Sequence, residues 1–329
     1  IYSELGFYYT QQGQAELLER SVLTNNGKRM TGDSLFYDRN RGIGEAFQNV
    51  EFVDTISKNM LTGDYCFYNQ LTGYAFATDK AVATDFSQGD SLFIHADTLQ
   101  LYTFHVNTDS VYREARAYHK VRFYRTDIQG VCDSLVFSSK DSCLTLYQDP
   151  ILWNGKQQLL GEEIMVYMND STIDWAHIQN QALSVEQLDS LNYNQVSGKD
   201  MKAYFEGGEM KQVDVDGSVR LVYFPMEKDS TLLGMNCSET SKLSMFLENR
   251  KLKKMAMSPK SNGTLYPMTQ IPPAKMKLDN FAWFDYVRPL NKADIFNWRG
   301  KGAGHELKKS TRGAAPLPNQ KLFENTKKE

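Results

Sequence analysis

The stretch TGDSLFYD at residues 31–38 decides the fold, because nearly the same letters return as TGDYCFYN at residues 62–69. Both copies place an acidic residue four positions before an aromatic one. Counted on this anchor pair, the copies are Glu4 with Tyr8, Asp33 with Tyr37, Asp64 with Tyr68, Asp97 with Leu101, Asp133 with Phe137, Glu163 with Tyr167 and Asp200 with Tyr204, before a degenerate copy near Glu239. Successive anchors lie 29 to 39 residues apart. Such self-similarity is typical of stacked repeat proteins.

A second repeated feature lies between the anchors and consists of two apolar residues separated by one position. The doublets are Val50/Phe52, Val121/Phe123, Ile151/Trp153, Leu183/Val185 and Val219/Leu221, with weaker copies at Val22/Thr24 and Val82/Thr84. Alternation with a period of two, bounded by turn residues, predicts β-strands. Only residues 15–20 and 184–191 have a spacing that predicts a turn of helix. We therefore expect an all-β array over residues 1–247, in which each repeat buries its apolar face against its neighbours.

The same period assigns side chains to faces, because alternate residues of a strand share one face. Positions two and four after each anchor, together with the doublets, form the predicted inward set. Its members are Leu35, Tyr37, Val50, Phe52, Tyr68, Val82, Leu99, Leu101, Val121, Phe123, Leu135, Phe137, Ile151, Trp153, Met165, Tyr167, Leu183, Val185, Val219 and Leu221. Such an interior is either a packed solenoid core or an open groove that takes a lipid, and periodicity does not choose between the two.

The two ends of the chain depart from the repeat. The opening letters IYSELGFYY already sit at an anchor, and no signal peptide is visible, so we expect a piece of a longer array whose missing part holds the targeting signal. Residues 248–300 are expected to pack on the array or cap it, with anchors at Trp283, Phe284, Tyr286, Phe296 and Trp298. Residues 301–329 are predicted to be a disordered basic tail.

Charge and composition exclude several classes of protein. The net charge is −3, and because residues 301–329 contribute +4, the body of the chain is acidic, which argues against a nucleic-acid partner. No apolar run is long enough for a membrane-spanning helix. The four cysteines lack the spacing of a zinc site and are expected to be buried or free thiols, with a disulfide left open.

Catalytic and metal-binding patterns are not found. None of the five histidines has the spacing of a metal ligand, and no nucleotide-binding or nucleophile motif occurs. Carboxylates can act as acid and base in glycan-cleaving solenoids, but the anchors Asp33, Asp64, Asp97, Asp133, Glu163 and Asp200 recur once in every repeat. This regularity favours a role at a turn entry or a sheet edge. We predict no catalytic residue, no cofactor and no metal.

The ordered pair of doublet and anchor resembles the OstA/LptA-like repeat of lipopolysaccharide-transport proteins. The best copy is FQNVEFVDTISKNMLTGDYCFYN, residues 47–69. The resemblance implies a jellyroll-like β-taco with an apolar groove, in the periplasm of a Gram-negative bacterium. It implies a non-enzymatic carrier of the lipid A acyl chains of lipopolysaccharide, which works with other transport components and self-associates head to tail through edge strands. The alternative is a structural or adhesive β-solenoid without a lipid ligand, and a glycan-active enzyme comes third.

Overall fold

The protein is built almost entirely of antiparallel strands, as predicted. The computed structural model describes residues 2–302 except 26, 57, 88, 107, 170, 171, 228, 230 and 250. These described residues form one sheet of 22 strands. In chain order β1 to β22 are Leu5–Tyr9, Gln14–Asn25, Lys28–Asp38, Ile43–Asp54, Asn59–Asn69, Tyr74–Thr78, Val82–Asp85, Leu92–His95, Thr98–Phe104, Tyr112–Tyr124, Gln129–Ser138, Cys143–Tyr147, Ile151–Asn154, Gln157–Leu160, Glu163–Asn169, Thr172–Gln179, Ala182–Gln187, Tyr193–Gly198, Asp200–Glu206, Glu209–Tyr223, Gly234–Glu248 and Lys251–Pro267. Single 3₁₀ turns follow at Met268–Gln270, Pro273–Lys275, Asp285–Val287 and Asp294–Phe296.

The two segments predicted to form a turn of helix are strands instead. Residues 15–20 lie inside β2, and residues 184–187 lie in β17 before a turn. In β2, Leu17 is buried in the core while Leu18 lies on the opposite face and is exposed. Because β2 is hydrogen-bonded to β1 and to β3, its pairing overrides the helix-like spacing of its leucines.

Most rungs of the sheet bend sharply at two adjacent residues in the left-handed region of backbone conformation. These pairs are Glu19–Arg20, Gln48–Asn49, Asp79–Lys80, His119–Lys120, Gln148–Asp149, Asn180–Gln181 and Gly217–Ser218. The strand register shifts at the same places, as between Phe47 and Val50. Aligned from rung to rung, the pairs form a line that we call the crease.

The crease divides the sheet into two walls. On one side of it β5 pairs with β6 and β10 pairs with β9, whereas on the other side β5 pairs with β7 and β10 with β8. Wall 1 contains residues 14–18, 34–38, 43–47, 65–69, β6, β9, 112–118, 134–138, β12, β15, β16, β19, 209–216, 242–248 and 251–258. Wall 2 contains residues 21–25, 28–32, 50–54, 59–63, β7, β8, 121–124, 129–132, β13, β14, β17, β18, 219–223, 234–240 and 261–267.

The main hydrophobic cluster lies between the two walls. It joins wall 1 residues such as Leu35 and Leu135 to wall 2 residues such as Val50, Val121 and Val219. Because one contiguous cluster draws on both walls, the sheet is folded over along the crease and encloses an apolar interior. This arrangement agrees with the folded-over antiparallel sheet that the resemblance implied.

The C-terminal region differs from the expectation in where the sheet ends. The sheet does not end near residue 247, since β22 continues it to Pro267. The repeat signature fades there because β22 is an edge strand with one neighbour and few buried side chains. Residues 268–302, which we call the strap, then pack on the outer face of wall 2. Of the predicted basic tail, residues 303–329 lie outside the described part of the chain.

Buried glutamines attach the strap to wall 2. The side chain of Gln158 donates to the Ala282 carbonyl (2.9 Å) and accepts from the Phe284 amide (2.8 Å). Gln195 repeats the pattern, donating to Met276 (2.7 Å) and accepting from Leu278 (2.8 Å). Each glutamine thus pairs with the strap as a neighbouring strand would. Further along, Arg288 donates to Gln129, and Arg122 donates to the Ile295 carbonyl.

The predicted aromatic anchors of the C-terminal segment fall into two groups, one buried and one exposed. Phe284 is buried beside Val287, and Trp283 packs partly buried against that cluster. Tyr286, Phe296 and Trp298 are exposed on the strap.

Candidate functional site

The residues nearest the crease form a buried apolar floor. On wall 1 the paired register runs through Leu17, Leu35, Ala46, Cys66, Ala77, Leu99, Ala117, Leu135, Leu146, Ile164, Ile178, Met201, Val215 and Leu243. On wall 2 the floor includes Val50, Ala81, Ala96, Val121, Cys132, Ala182 and Val219. All these side chains belong to the central cluster, so the floor is uncharged along its described length.

A second row lies one pleat further from the crease on each wall. On wall 1 the strand register aligns Tyr37, Gly44, Tyr68, Ala75 and Leu101. Tyr68 is 42% exposed and Leu101 is 36% exposed. These side chains share the inner face but stand nearer the mouth, the opening opposite the crease.

Thirteen of the predicted lining residues face the interior. Leu35, Val50, Leu99, Val121, Phe123, Leu135, Val219 and Leu221 lie in the buried cluster. By strand register Tyr37, Phe52, Tyr68, Leu101 and Phe137 lie on the same face, closer to the mouth.

The other seven predicted residues lie on outer faces, and for these the inward assignment is corrected. Ile151, Trp153, Leu183 and Val185 pack with Phe284 and Val287 of the strap. Val82 pairs with His95, whose ring lies 4.7 Å from that of Phe296. Met165 and Tyr167 flank Val166, a residue of the central cluster, and therefore point away from it. Tyr167 instead stacks on Trp175 with ring centroids 4.1 Å apart.

The corrections on wall 2 have one physical cause. At Val50, Val121 and Val219 the doublet follows the crease pair directly. At Val82, Ile151 and Leu183 one more residue intervenes (Ala81, Pro150 and Ala182 respectively). Because side chains alternate along a strand, a shift of one residue exchanges the inner and outer faces.

The sequence analysis missed a regular row of floor residues on wall 1. An apolar residue occurs two positions before each crease pair, as Leu17, Ala46, Ala77, Ala117, Leu146, Ile178 and Val215. The crease pairs themselves are mostly polar, and Asn and Asp tolerate the left-handed conformation better than most residues. Alignment on these polar pairs, rather than on the doublets, would have found this row.

The recurring acids lie at the crease. Asp33 accepts hydrogen bonds from Asn49 (2.7 Å) and Arg20 (3.4 Å). Lys80 donates to Asp64 at 3.1 Å. These contacts join successive rungs at the bend, so the acids act as structural ties there. In the ranges that the structure describes, no group of three or more His, Cys, Asp or Glu side chains is placed to hold a metal ion.

Two of the four cysteines, Cys66 and Cys132, line the interior as apolar bulk. All four are free thiols, and Cys66, Cys132 and Cys143 are buried. Burial raises the pKa of Cys66 to about 12 and also raises the pKa of Cys132. The thiols therefore stay neutral, and the interior presents a surface suited to hydrocarbon. No helix among the described residues has the length and apolarity to cross a membrane.

Comparison with known proteins finds a family match over the first part of the chain. Residues 1–85 match the family model described as OstA-like protein. The matched segment contains β1 to β7, the first rungs of the folded sheet. No curated protein gives a significant match to the chain.

Proposed function

Because residues 1–85 belong to the OstA-like family, we propose that this protein binds and carries lipopolysaccharide. The lipid A acyl chains lie between the two walls, and the protein performs no chemical reaction. The observation that carries the proposal is the geometry of the interior: an uncharged floor along the crease, with a second apolar row at the mouth that solvent reaches at Tyr68 and Leu101.

Acyl chains gain free energy in such a site through burial, at about 0.8 kcal/mol per CH₂. Neighbouring rungs repeat a similar apolar surface, so displacement of a chain by one rung exchanges one set of contacts for an equivalent one. An interior of this kind suits a carrier, which has to release its ligand, better than a deep enclosed pocket does.

The proposed location is the periplasm of a Gram-negative bacterium, with other lipopolysaccharide-transport components as partners and with no nucleic-acid partner. Self-association proceeds head to tail through the edge strands, which offer unpaired backbone groups. At one edge β1 is short and exposes Phe7 and Tyr9. At the other edge β22 carries Lys251, Lys253 and Pro259, which are features that limit uncontrolled pairing.

The rival function is a structural or adhesive β-solenoid with a packed core. It is favoured by the later rungs, in which the floor residues Ile164, Met201 and Leu243 are almost completely buried from solvent. Under that proposal no ligand would contact Tyr68, and the mouth would serve only as solvated surface.

Adjacent aromatic residues on β5 provide the test. Tyr68 lies on the inner face and Phe67 on the outer face, where Phe67 stacks on Phe76 at 5.4 Å. Each is replaced separately by the photo-crosslinking residue p-benzoylphenylalanine in the full-length protein in its native envelope. The proposal expects a lipopolysaccharide adduct at Tyr68 and none at Phe67. Adducts at neither position, or at Phe67 alone, would favour the packed solenoid or another binding face.

A further inference from the structure

The interior differs between two parts of the array, which we call the open half (β2 to β9) and the closed half (β13 to β20). In the open half the second row of wall 2 is formed by Leu23, Met30, Phe52, Leu61, Ala83 and Ile94, all only partly buried. On wall 1 the equivalent Tyr68 and Leu101 are exposed.

In the closed half the equivalent rows are buried. On wall 1 Val166, Ala176, Ala203 and Val213 have exposures of 8%, 7%, 4% and 6%. On wall 2 Val196 and Leu221 are buried, while Leu159 is partly buried. The second row is therefore withdrawn from solvent along this half.

Bulky side chains account for the closure. Phe205 and Met210 from wall 1 and Tyr223 from wall 2 pack against the central cluster at the level of the mouth. On wall 1 the floor of the closed half carries the larger residues Ile164, Ile178 and Met201. In the open half, Ala46 and Ala77 interrupt the same row. The protein's own side chains thus fill the space that a ligand would need.

The rim of the mouth also differs between the halves. Residues 39–42 end the hairpin of β3 and β4 on wall 1, and residues 55–58 end the hairpin of β4 and β5 on wall 2. Arg39, Arg41 and Lys58 are exposed there, and within the described residues they form no salt bridge. The nearby carboxylate of Asp38 accepts from Gln14 (2.9 Å) and the Arg41 amide (2.9 Å), so it is engaged in the turn.

The closed half has a balanced or acidic rim instead. Its wall 1 hairpin between β19 and β20 carries Glu206 and Glu209, with Lys211 paired to Glu209 at 2.8 Å. Its wall 2 hairpin between β13 and β14 carries one exposed cation, Lys156, within residues 155–156. Exposed cations that form no salt bridge with the described residues therefore accompany the open mouth.

We infer that the groove is blind, that is, closed at one end: only the open half takes the ligand, and the closed half stops its chains. The ligand is an amphiphile whose anionic head group is held by Arg39, Arg41 and Lys58. The inference rests on the proposed function and refines it. Apolar surface with exposed cations at its rim complements a lipid with phosphate groups. A blind groove requires that the ligand enters and leaves through the mouth or the N-terminal end of the open half. The ligand cannot slide along the whole array.

Crosslinking along the array tests the blind groove. Purified full-length protein carries p-benzoylphenylalanine at Phe52 in the open half, or at Phe205 or Tyr223 in the closed half, and is incubated with lipopolysaccharide. Unfolding in urea verifies that each variant is folded. We expect an adduct at Phe52 and none at Phe205 or Tyr223. Adducts in both halves would overturn the blind groove and leave the proposed function standing. No adduct at any position, Tyr68 included, would overturn the proposed function as well.

Single charge removals test the rim. Arg39→Gln, Arg41→Gln and Lys58→Gln should each weaken lipopolysaccharide binding about fivefold, which corresponds to ~1 kcal/mol per basic residue near an anionic lipid surface. The matched control is Lys156→Gln, an exposed hairpin cation of the closed half, which should leave the affinity unchanged. Lipid A without its phosphate groups should bind all four variants alike. Equal losses in the control, or none at the rim, would overturn the head-group assignment.

Discussion

The attachment of the strap depends on Gln158, whose removal has a cost that can be worked out from the structure. This fully buried side chain donates to Ala282 and accepts from Phe284 and from the indole of Trp153 at 3.2 Å. Gln158→Met keeps the volume but leaves three buried polar groups without that partner. An unsatisfied buried group costs about 1–3 kcal/mol, so the variant should lose about 3 kcal/mol or more of unfolding free energy.

The assay is urea unfolding combined with hydrogen exchange at the strap amides. Gln158→Met should lower the unfolding midpoint and speed exchange at Phe284. The control Gln100→Met removes a partly exposed glutamine from the outer face of wall 1, where it accepts a hydrogen bond from the hydroxyl of Tyr102 at 3.0 Å. It should cost less than about 1 kcal/mol. Equal midpoints for the two variants, with Phe284 still protected, would refute the reasoning.

Three further predictions concern buried groups. Burial holds the pKa of His95 below its ordinary value, so the folded protein binds fewer protons than the unfolded chain. The unfolding free energy should therefore fall as the pH drops below about 6.5, by at most ~1.4 kcal/mol per pH unit. A His95→Gln variant with the same pH dependence would contradict this. A Cβ at Gly130 would overlap the Phe123 ring, so Gly130→Ala should lower the unfolding free energy in urea by about 1–3 kcal/mol. Part of this loss should be recovered when Gly130→Ala is combined with Phe123→Leu. An unchanged unfolding midpoint would contradict the predicted overlap. With its pKa raised to about 12, Cys66 should resist iodoacetamide at pH 8 until the protein is unfolded, and rapid labelling of the native protein would disprove its burial.

The repeat in the sequence was sufficient to predict an all-β array, and the resemblance that it carries implied that the sheet is folded over. Acidic anchors such as Asp33 and Asp64 mark the crease, and in these rungs the residues two and four positions later mark the inner face of wall 1. After Glu163 the inner face begins one residue earlier, at Ile164, so Met165 and Tyr167 point outward. These features are local, because strand alternation converts sequence spacing directly into a face. The same argument places Leu35 with Tyr37 and Leu135 with Phe137 inside.

The doublets were a less reliable guide, because their face depends on where the chain bends. Pro150 and Ala182 each insert one residue between the crease and a doublet, which turns Ile151 and Leu183 outward. The sequence of the doublet alone does not show that this extra residue is present. The attachment of the strap could not be predicted from local sequence either. Its partners Gln158 and Gln195 lie 124 and 81 residues before the carbonyls to which they donate. A glutamine on a strand is ordinarily expected at the surface.

The most direct test of the account is to map which residues the acyl chains touch. Lipopolysaccharide with photoreactive diazirine groups in its acyl chains would be bound to the full-length protein and irradiated, and modified residues would be identified by mass spectrometry. The account predicts modification at inner residues of the open half, such as Tyr37, Phe52 and Tyr68. Modification confined to outer residues such as Phe67 and Phe76, or spread evenly over both faces, would contradict the claim that the folded sheet encloses the lipid.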